Sequence, residues 1–334
     1  MKILAKSDNV SKFIMDGLNC YYEKEKNIFK DGEPEIKLDH NFYGEFYINN
    51  TNLILQSYYG NFEFKGKKIN GYYNYLDEHE VSYINKEDGY LYFETNNEFK
   101  KTMINQNILC LYKKYFIFDD KFITRLDALQ ENSNELWQFE LQSIPNNPYD
   151  DNYDKQADWQ VKKFIGVLEN KLWVALNHHT IIALDIESGA LLHQLHDILT
   201  FKSEWLPSAI PLSESTVIDE KNNKLIGFMW EFYWEINPQN GEITLLDFTD
   251  SFLAQKVRND LQDFVLTDTH IYFASHHDIK VAAFNRQTKQ IDWFHEFEDD
   301  GNGYQSRISK IDGNDDKLGV LTQGKVLYIF EKDS

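Results

Sequence analysis

A hairpin pattern returns about every fifty residues along this chain, and it restricts the fold more than any other feature. The clearest copy is Leu172-Trp173-Val174-Ala175-Leu176, a His178-His179 turn, Ile181-Ile182-Ala183-Leu184-Asp185, a Glu187-Ser188-Gly189 turn and Leu191-Leu192. A second copy runs from Ile271 through His276-His277 and Val281 to Trp293, and a third from Leu225 through Phe232-Tyr233-Trp234-Glu235-Ile236-Asn237 to Leu245. Short β-branched and aromatic runs are strand signals, and the Asn, Asp, Gly and Ser clusters between them are turn chemistry. Repetition on this length scale marks solenoids and propellers.

The turn after the third strand of each unit falls at Lys30, Asp77, Asp127, Asp185, Asn237, Asn285 and Glu331, with spacings of 47, 50, 58, 52, 48 and 46 residues. Seven positions predict seven units of four strands. The last unit supplies only three, at Arg307–Ser309, Lys317–Leu321 and Val326–Phe330, while Lys2-Ile3-Leu4-Ala5 precedes the first complete unit as a spare strand. Pairing the N-terminal strand with the last blade removes an open sheet edge. The chain is therefore expected to be all-β: a seven-bladed β-propeller of four-stranded antiparallel blades, closed by its N-terminal strand, in one domain spanning 1–334. Aromatics at 15% against 6 Pro and 4 Met suit sheets packed face to face. The helical pattern is confined to Ser251–Leu261.

The blade units resemble the pyrroloquinoline-quinone-type propeller repeat, of the quinoprotein dehydrogenase-like and WD-like superfamily. The resemblance rests on Lys171–Ala175, Thr180–Asp185 and Glu187–Leu192, with Trp137 and Trp293 in the place of the repeat's terminal Trp. It implies a propeller, and a non-enzymatic member that binds proteins. The quinoprotein enzymes of that superfamily use a vicinal disulfide and a Ca²⁺ site, whereas Cys20 and Cys110 are far apart in this sequence.

Motifs for chemistry are sparse. Asp150-Asp151-Asn152-Tyr153-Asp154 has oxygen ligands at alternate positions, but it lacks the Gly of a calcium loop and carries Val161 where a bidentate Glu is required. The segments at Asp299–Gly303 and Asp312–Asp316 fail in the same way and read as solvated turns. The His pairs at 178–179 and 276–277 sit two blades apart, too far for a shared metal ion. No catalytic residue, cofactor or metal is expected, and the chain is not read as an enzyme.

Charge points to the partner. With 54 acidic against 34 basic residues the net charge is −20, a field that repels nucleic acid and anionic membranes and attracts basic proteins. The apolar start Ile3-Leu4-Ala5 is broken by Lys6, Ser7 and Asp8, short of the roughly 7–15 apolar residues of a signal peptide, so a cytoplasmic location is expected. The long connections at 142–161, 196–211, 250–260 and 298–307 carry aromatics among charges. From them Tyr149, Asp150, Asp151, Tyr153, Asp154, Trp159, Trp205, Asp299, Asp300 and Tyr304 are expected to bind a basic protein partner, with Phe252, Arg258 and Asp260 adding to the surface. The sharpest form is an immunity or inhibitor protein that neutralises a basic toxin such as a nuclease. The alternative is an enzyme or small-ligand receptor whose central channel is lined by Trp230, Trp234 or the His turns.

Overall fold

The computed structural model describes residues 1–38, 44–49, 52–59, 61–64, 67–75, 81–85, 87, 91–95, 98–101, 107–111, 114–128, 133–147, 157–196, 210–298 and 304–332. Local pairing makes the blades. Lys171–Leu176 runs antiparallel to Thr180–Asp185 without a register shift, from Lys171↔Asp185 to Leu176↔Thr180. The Asn177-His178-His179 turn between them holds both histidines at left-handed φ, +54° and +55°. The next turn is local as well: Asp185 Oδ1 accepts the backbone N–H groups of Glu187 and Ser188, and its carbonyl accepts that of Gly189 at 2.8 Å. Asn237 and Asn285 repeat that last bond, accepting the N–H of Gly241 and of Lys289 at 2.9 Å.

Seven sheets result, and the fold is a seven-bladed β-propeller. Six sheets have four strands, consecutive in sequence in all but one. That exception closes the chain on itself: Lys2–Ser7 lies beside Leu327–Glu331, then Lys317–Thr322 and Ile308–Gly313. Its register runs from Lys2↔Glu331 to Ser7↔Leu327 with a bulge between Ile3 and Ala5, as the spare N-terminal strand led us to expect. The sheet from Gly44–Asn49 to Glu98–Lys101 departs from the pattern, with seven strands. Its middle strand, Lys67–Tyr75, pairs through residues 67–70 with Asn61–Phe64 and through residues 71–75 with Val81–Asn85. Gly71 stands at the changeover, where the ring of Tyr83 occupies the place of a β-carbon.

The chain divides into two compact units, Met1–Phe42 with Asp219–Ile236 and Thr244–Ser334, and Tyr43–Ile218 with Asn237–Ile243. In the first unit the core centres on Phe228, whose ring lies 5.0 Å from Phe273 and 5.5 Å from Phe284. A short helix, Thr249–Gln255, folds Phe252 into this core, stacked on Phe273 at 5.6 Å. Phe252 is therefore buried rather than part of a binding surface. The helix stops before the expected Leu261 because Lys256 turns left-handed at φ +51°. Burying each such ring contributes roughly 1.5–3 kcal/mol.

In the second unit two blades are joined by an aromatic side chain seated on a glycine turn. Trp137 donates from Nε1 to the Ile186 carbonyl at 3.0 Å and covers Gly189, whose φ is +73°. A β-carbon at Gly189 would stand 2.6 Å from the indole, so the position demands glycine on both conformational and steric grounds. Arg125 reinforces the joint by donating to the Ile186 carbonyl and pairing with Glu187 at 2.8 Å.

Candidate partner-binding surface

The longest connection of the second unit is clasped at its base. Gln142 Nε2 donates to the Trp159 carbonyl at 3.2 Å, and the Trp159 N–H donates to Gln142 Oε1 at 3.1 Å. The Trp159 indole N–H reaches the Ile144 carbonyl at 2.9 Å. Trp159 is only 3% exposed, which corrects its expected role: it is the buried rivet of the loop and not a partner anchor. The aromatic ring and its N–H were both needed inside, where three bonds satisfy the backbone and indole together. Tyr149, Asp150, Asp151, Tyr153 and Asp154, which fall between the two ends of this clasp in sequence, lie outside the described residues, as do Trp205, Asp299 and Asp300.

The His pairs take the structural role. His179 Nδ1 lies 2.9 Å from the Ile210 carbonyl, and His276 Nδ1 lies 2.7 Å from the Ile308 carbonyl. A carbonyl only accepts, so Nδ1 carries the proton in both rings. Each histidine thus ties its turn to the chain entering the next sheet. No group of three or more His, Cys, Asp or Glu side chains is placed to hold a metal among the described residues. The Asp312–Asp316 segment is likewise engaged: Asp312 Oδ2 accepts the Met15 N–H at 2.9 Å, and Asn314 Oδ1 accepts those of Asp316 and Lys317.

The described polar loops of the first unit form the candidate surface. Tyr304 is 62% exposed with the Arg307 guanidinium 5.8 Å from its ring centroid, so this expected anchor stands at the surface. Asp260 is half-buried and accepts the N–H groups of His276 at 2.5 Å and His277 at 3.4 Å. Next to it, Trp230 and Asn259 form a backbone bridge, with N–H to carbonyl distances of 2.8 and 3.1 Å in the two directions. Trp230 is half-buried and held at φ +55°, an unusual conformation for a bulky residue. Arg258 lies over it, 5.7 Å from the ring centroid. Trp234, by contrast, is fully buried against Gly227 on the neighbouring strand and lines no opening.

Glu231 is the residue that sequence reasoning missed. Its side chain is 7% exposed, and Arg258 Nε lies 3.1 Å from Oε1, near enough to pair but out of line for a hydrogen bond. Burial pushes its carboxyl above the usual range; Arg258 pulls the other way, while Asp247 and Asp260 add to the rise. Its burial beside Arg258 makes Glu231 a candidate functional residue. The only signal in the sequence is positional: Trp230-Glu231 occupies the turn that holds histidines in two other blades.

No helix of the described residues is long and apolar enough to cross a membrane. No protein-family model matches the chain, and no curated protein does. Solved structures do match along nearly its whole length. BamB from Moraxella catarrhalis aligns over 99% of both chains with a TM-score of 0.59 at 10% identity. Sqt1 from Saccharomyces cerevisiae aligns over 98% of this chain and 97% of its own, with a TM-score of 0.59 at 11% identity. The Cps50 (Swd1) β-propeller domain of Myceliophteria thermophila aligns over 98% of this chain and 100% of its own, with a TM-score of 0.53 at 8% identity. At these identities the likeness is one of fold, and it sets the chain among the β-propellers.

Proposed function

We propose that this chain is a non-catalytic, protein-binding propeller whose partner is basic. In its sharpest form it is a cytoplasmic immunity or inhibitor protein that neutralises a cationic toxin such as a nuclease. The observation that carries the reading is the clasp at Gln142, Ile144 and Trp159. It fixes the two ends of a connection whose sequence between them holds Tyr149, Asp150, Asp151, Tyr153 and Asp154. Loops on a rigid base are where scaffolds carry recognition residues. The excess of acidic residues, with a net charge of −20, would speed encounter with a cationic surface and compete with nucleic acid for it. Propellers that share this fold, such as BamB, Sqt1 and Swd1, supply a scaffold on which such loops can be mounted.

The test begins with a pull-down from the native cytosol and mass spectrometry, followed by affinity measurements with the purified partner at rising salt. The affinity should fall with ionic strength. Changing Asp150, Asp151 and Asp154 together to Asn should weaken binding at least tenfold at low salt. A partner whose affinity is indifferent both to salt and to the triple change would refute the reading.

A further inference from the structure

Among the described residues of the first unit, three side-chain atoms beside the Trp230–Asn259 bridge are buried without a hydrogen-bond partner: the acceptors Glu231 Oε2 and Asn259 Oδ1, and the donor Arg258 Nε. Glu231 and Asn259 are 5% and 0% exposed. Neighbouring carboxylates are already used. Asp247 Oδ1 accepts the N–H and hydroxyl of Thr249 at 2.8 and 2.6 Å, and Asp260 accepts the two histidine N–H groups. The amide of Asn259 is held as well, donating through Nδ2 to the Phe228 carbonyl at 2.9 Å. Two of the three unfilled atoms are acceptors, and Asp247 and Asp260 stand near enough to Glu231 to act on its charge, so the cluster favours a positive charge.

We infer that the Trp230–Glu231–Arg258–Asn259 cluster is a receptor site for an organic cation with N–H donors, the guanidinium or ammonium end of a basic side chain. Arg258 is the internal stand-in. Its side chain is 40% exposed, it rests over the Trp230 indole, and its Nε meets Glu231 without hydrogen-bond alignment. An incoming cation takes the same two features, a carboxylate edge and an aromatic face, and displaces it. A bare anion finds one guanidinium, already faced by the Glu231 carboxylate. A metal ion lacks a third carboxylate or imidazole in coordinating position among the described residues. The left-handed Trp230, pinned by its bridge to Asn259, keeps the indole in place before any ligand arrives.

This site deepens the basic-partner reading and rests on it only for the source of the cation. It is tested on the full chain alone. Arginine amide is titrated into the protein and followed by saturation-transfer NMR, with acetate as the anionic control and circular dichroism to verify folding. Arginine amide should bind saturably and acetate should not. Glu231→Gln should weaken the interaction at least tenfold. Arg258→Ala, which removes the resident competitor, should strengthen it severalfold, and it carries the test if Glu231→Gln does not fold. Absence of saturable binding to both the native protein and Arg258→Ala overturns the proposal. So does an Arg258→Ala variant that binds arginine amide no better than the native chain. A protein that binds arginine amide but captures no basic partner would refute the partner reading and leave the site standing.

Discussion

Glu235 offers the most demanding test of the energetics. Its side chain is 24% exposed and sits among three donors: Lys224 Nζ at 2.5 Å from Oε2, and the Tyr233 hydroxyl at 2.5 Å and Lys289 Nζ at 3.1 Å from Oε1. Burial alone would raise the carboxyl, but hydrogen bonds from Lys224, Tyr233 and Lys289 outweigh it and lower the pKa from 4.5 to about 2. In the folded state the proton is thus bound less tightly than in the unfolded chain. The resulting stability is fully present above pH 4.5 and is lost as pH falls through 4.5 toward 2. At 1.36 kcal/mol per pH unit the stabilisation is about 3 kcal/mol. Glu235→Gln keeps the shape and removes the charge. Urea unfolding of both proteins between pH 7 and pH 2 gives the difference directly, because every other titrating group is common to the pair. The native protein should exceed the variant at pH 7 by about 3 kcal/mol, and the gap should close in acid. Parallel pH profiles would refute the argument, since they would mean that the lysines and tyrosine solvate Glu235 no better than water does.

Three further outcomes follow from single positions. Glu231→Gln should raise the melting midpoint at neutral pH, with the gain shrinking in acid, because burial of this carboxyl makes its ionisation a cost to the folded state; calorimetry at two pH values measures it. Gly189→Ala should cost roughly 1–3 kcal/mol or more in urea unfolding, from the clash with Trp137 added to the left-handed backbone. Cys20 is buried and its thiol is pushed up to about 12, chiefly by burial and then by Asp31 and Asp312. In a Cys110→Ser background, Ellman's reagent should leave native protein unmodified at pH 8 and react fully once urea unfolds it.

What could be read from the sequence was what is local. Asp185, Asn237 and Asn285 signal their turns because the bonds that make those turns lie within a few residues of each one. Closure through Lys2–Ser7 was readable from counting strands. The sheet spanning residues 44–101 was not, for Asn70-Gly71 has the composition of a turn yet lies inside the strand Lys67–Tyr75. There the partner strand changes while the backbone stays extended, and only distant residues such as Tyr83 reveal it. Trp159 and Phe252 were misjudged for a similar reason. An aromatic in a charged loop looks the same whether it faces solvent or turns back, and the difference is made by Ile144 in one case and Phe273 in the other.

The candidate site shows how a repeat protein can mark function by departing from its own pattern. In two blades a histidine ties the turn between second and third strands to the chain entering the next sheet, His179 to Ile210 and His276 to Ile308. At the equivalent turn of another blade, Trp230-Glu231 replaces the histidines, and the tie is made by backbone instead, between Trp230 and Asn259. Once the backbone makes that connection, the side chains are released from it. Trp230 is then able to present a ring to Arg258, and Glu231 retains a buried oxygen that the fold does not use. Restoring a histidine there should show which of these matters. Glu231→His, with the bridge intact, is expected to fold, to lose affinity for arginine amide at least tenfold, and to leave the urea midpoint of the propeller at or above its native value. A sharp loss of stability instead would mean that Glu231 holds Arg258 for the sake of the fold, and that the unfilled oxygen is incidental.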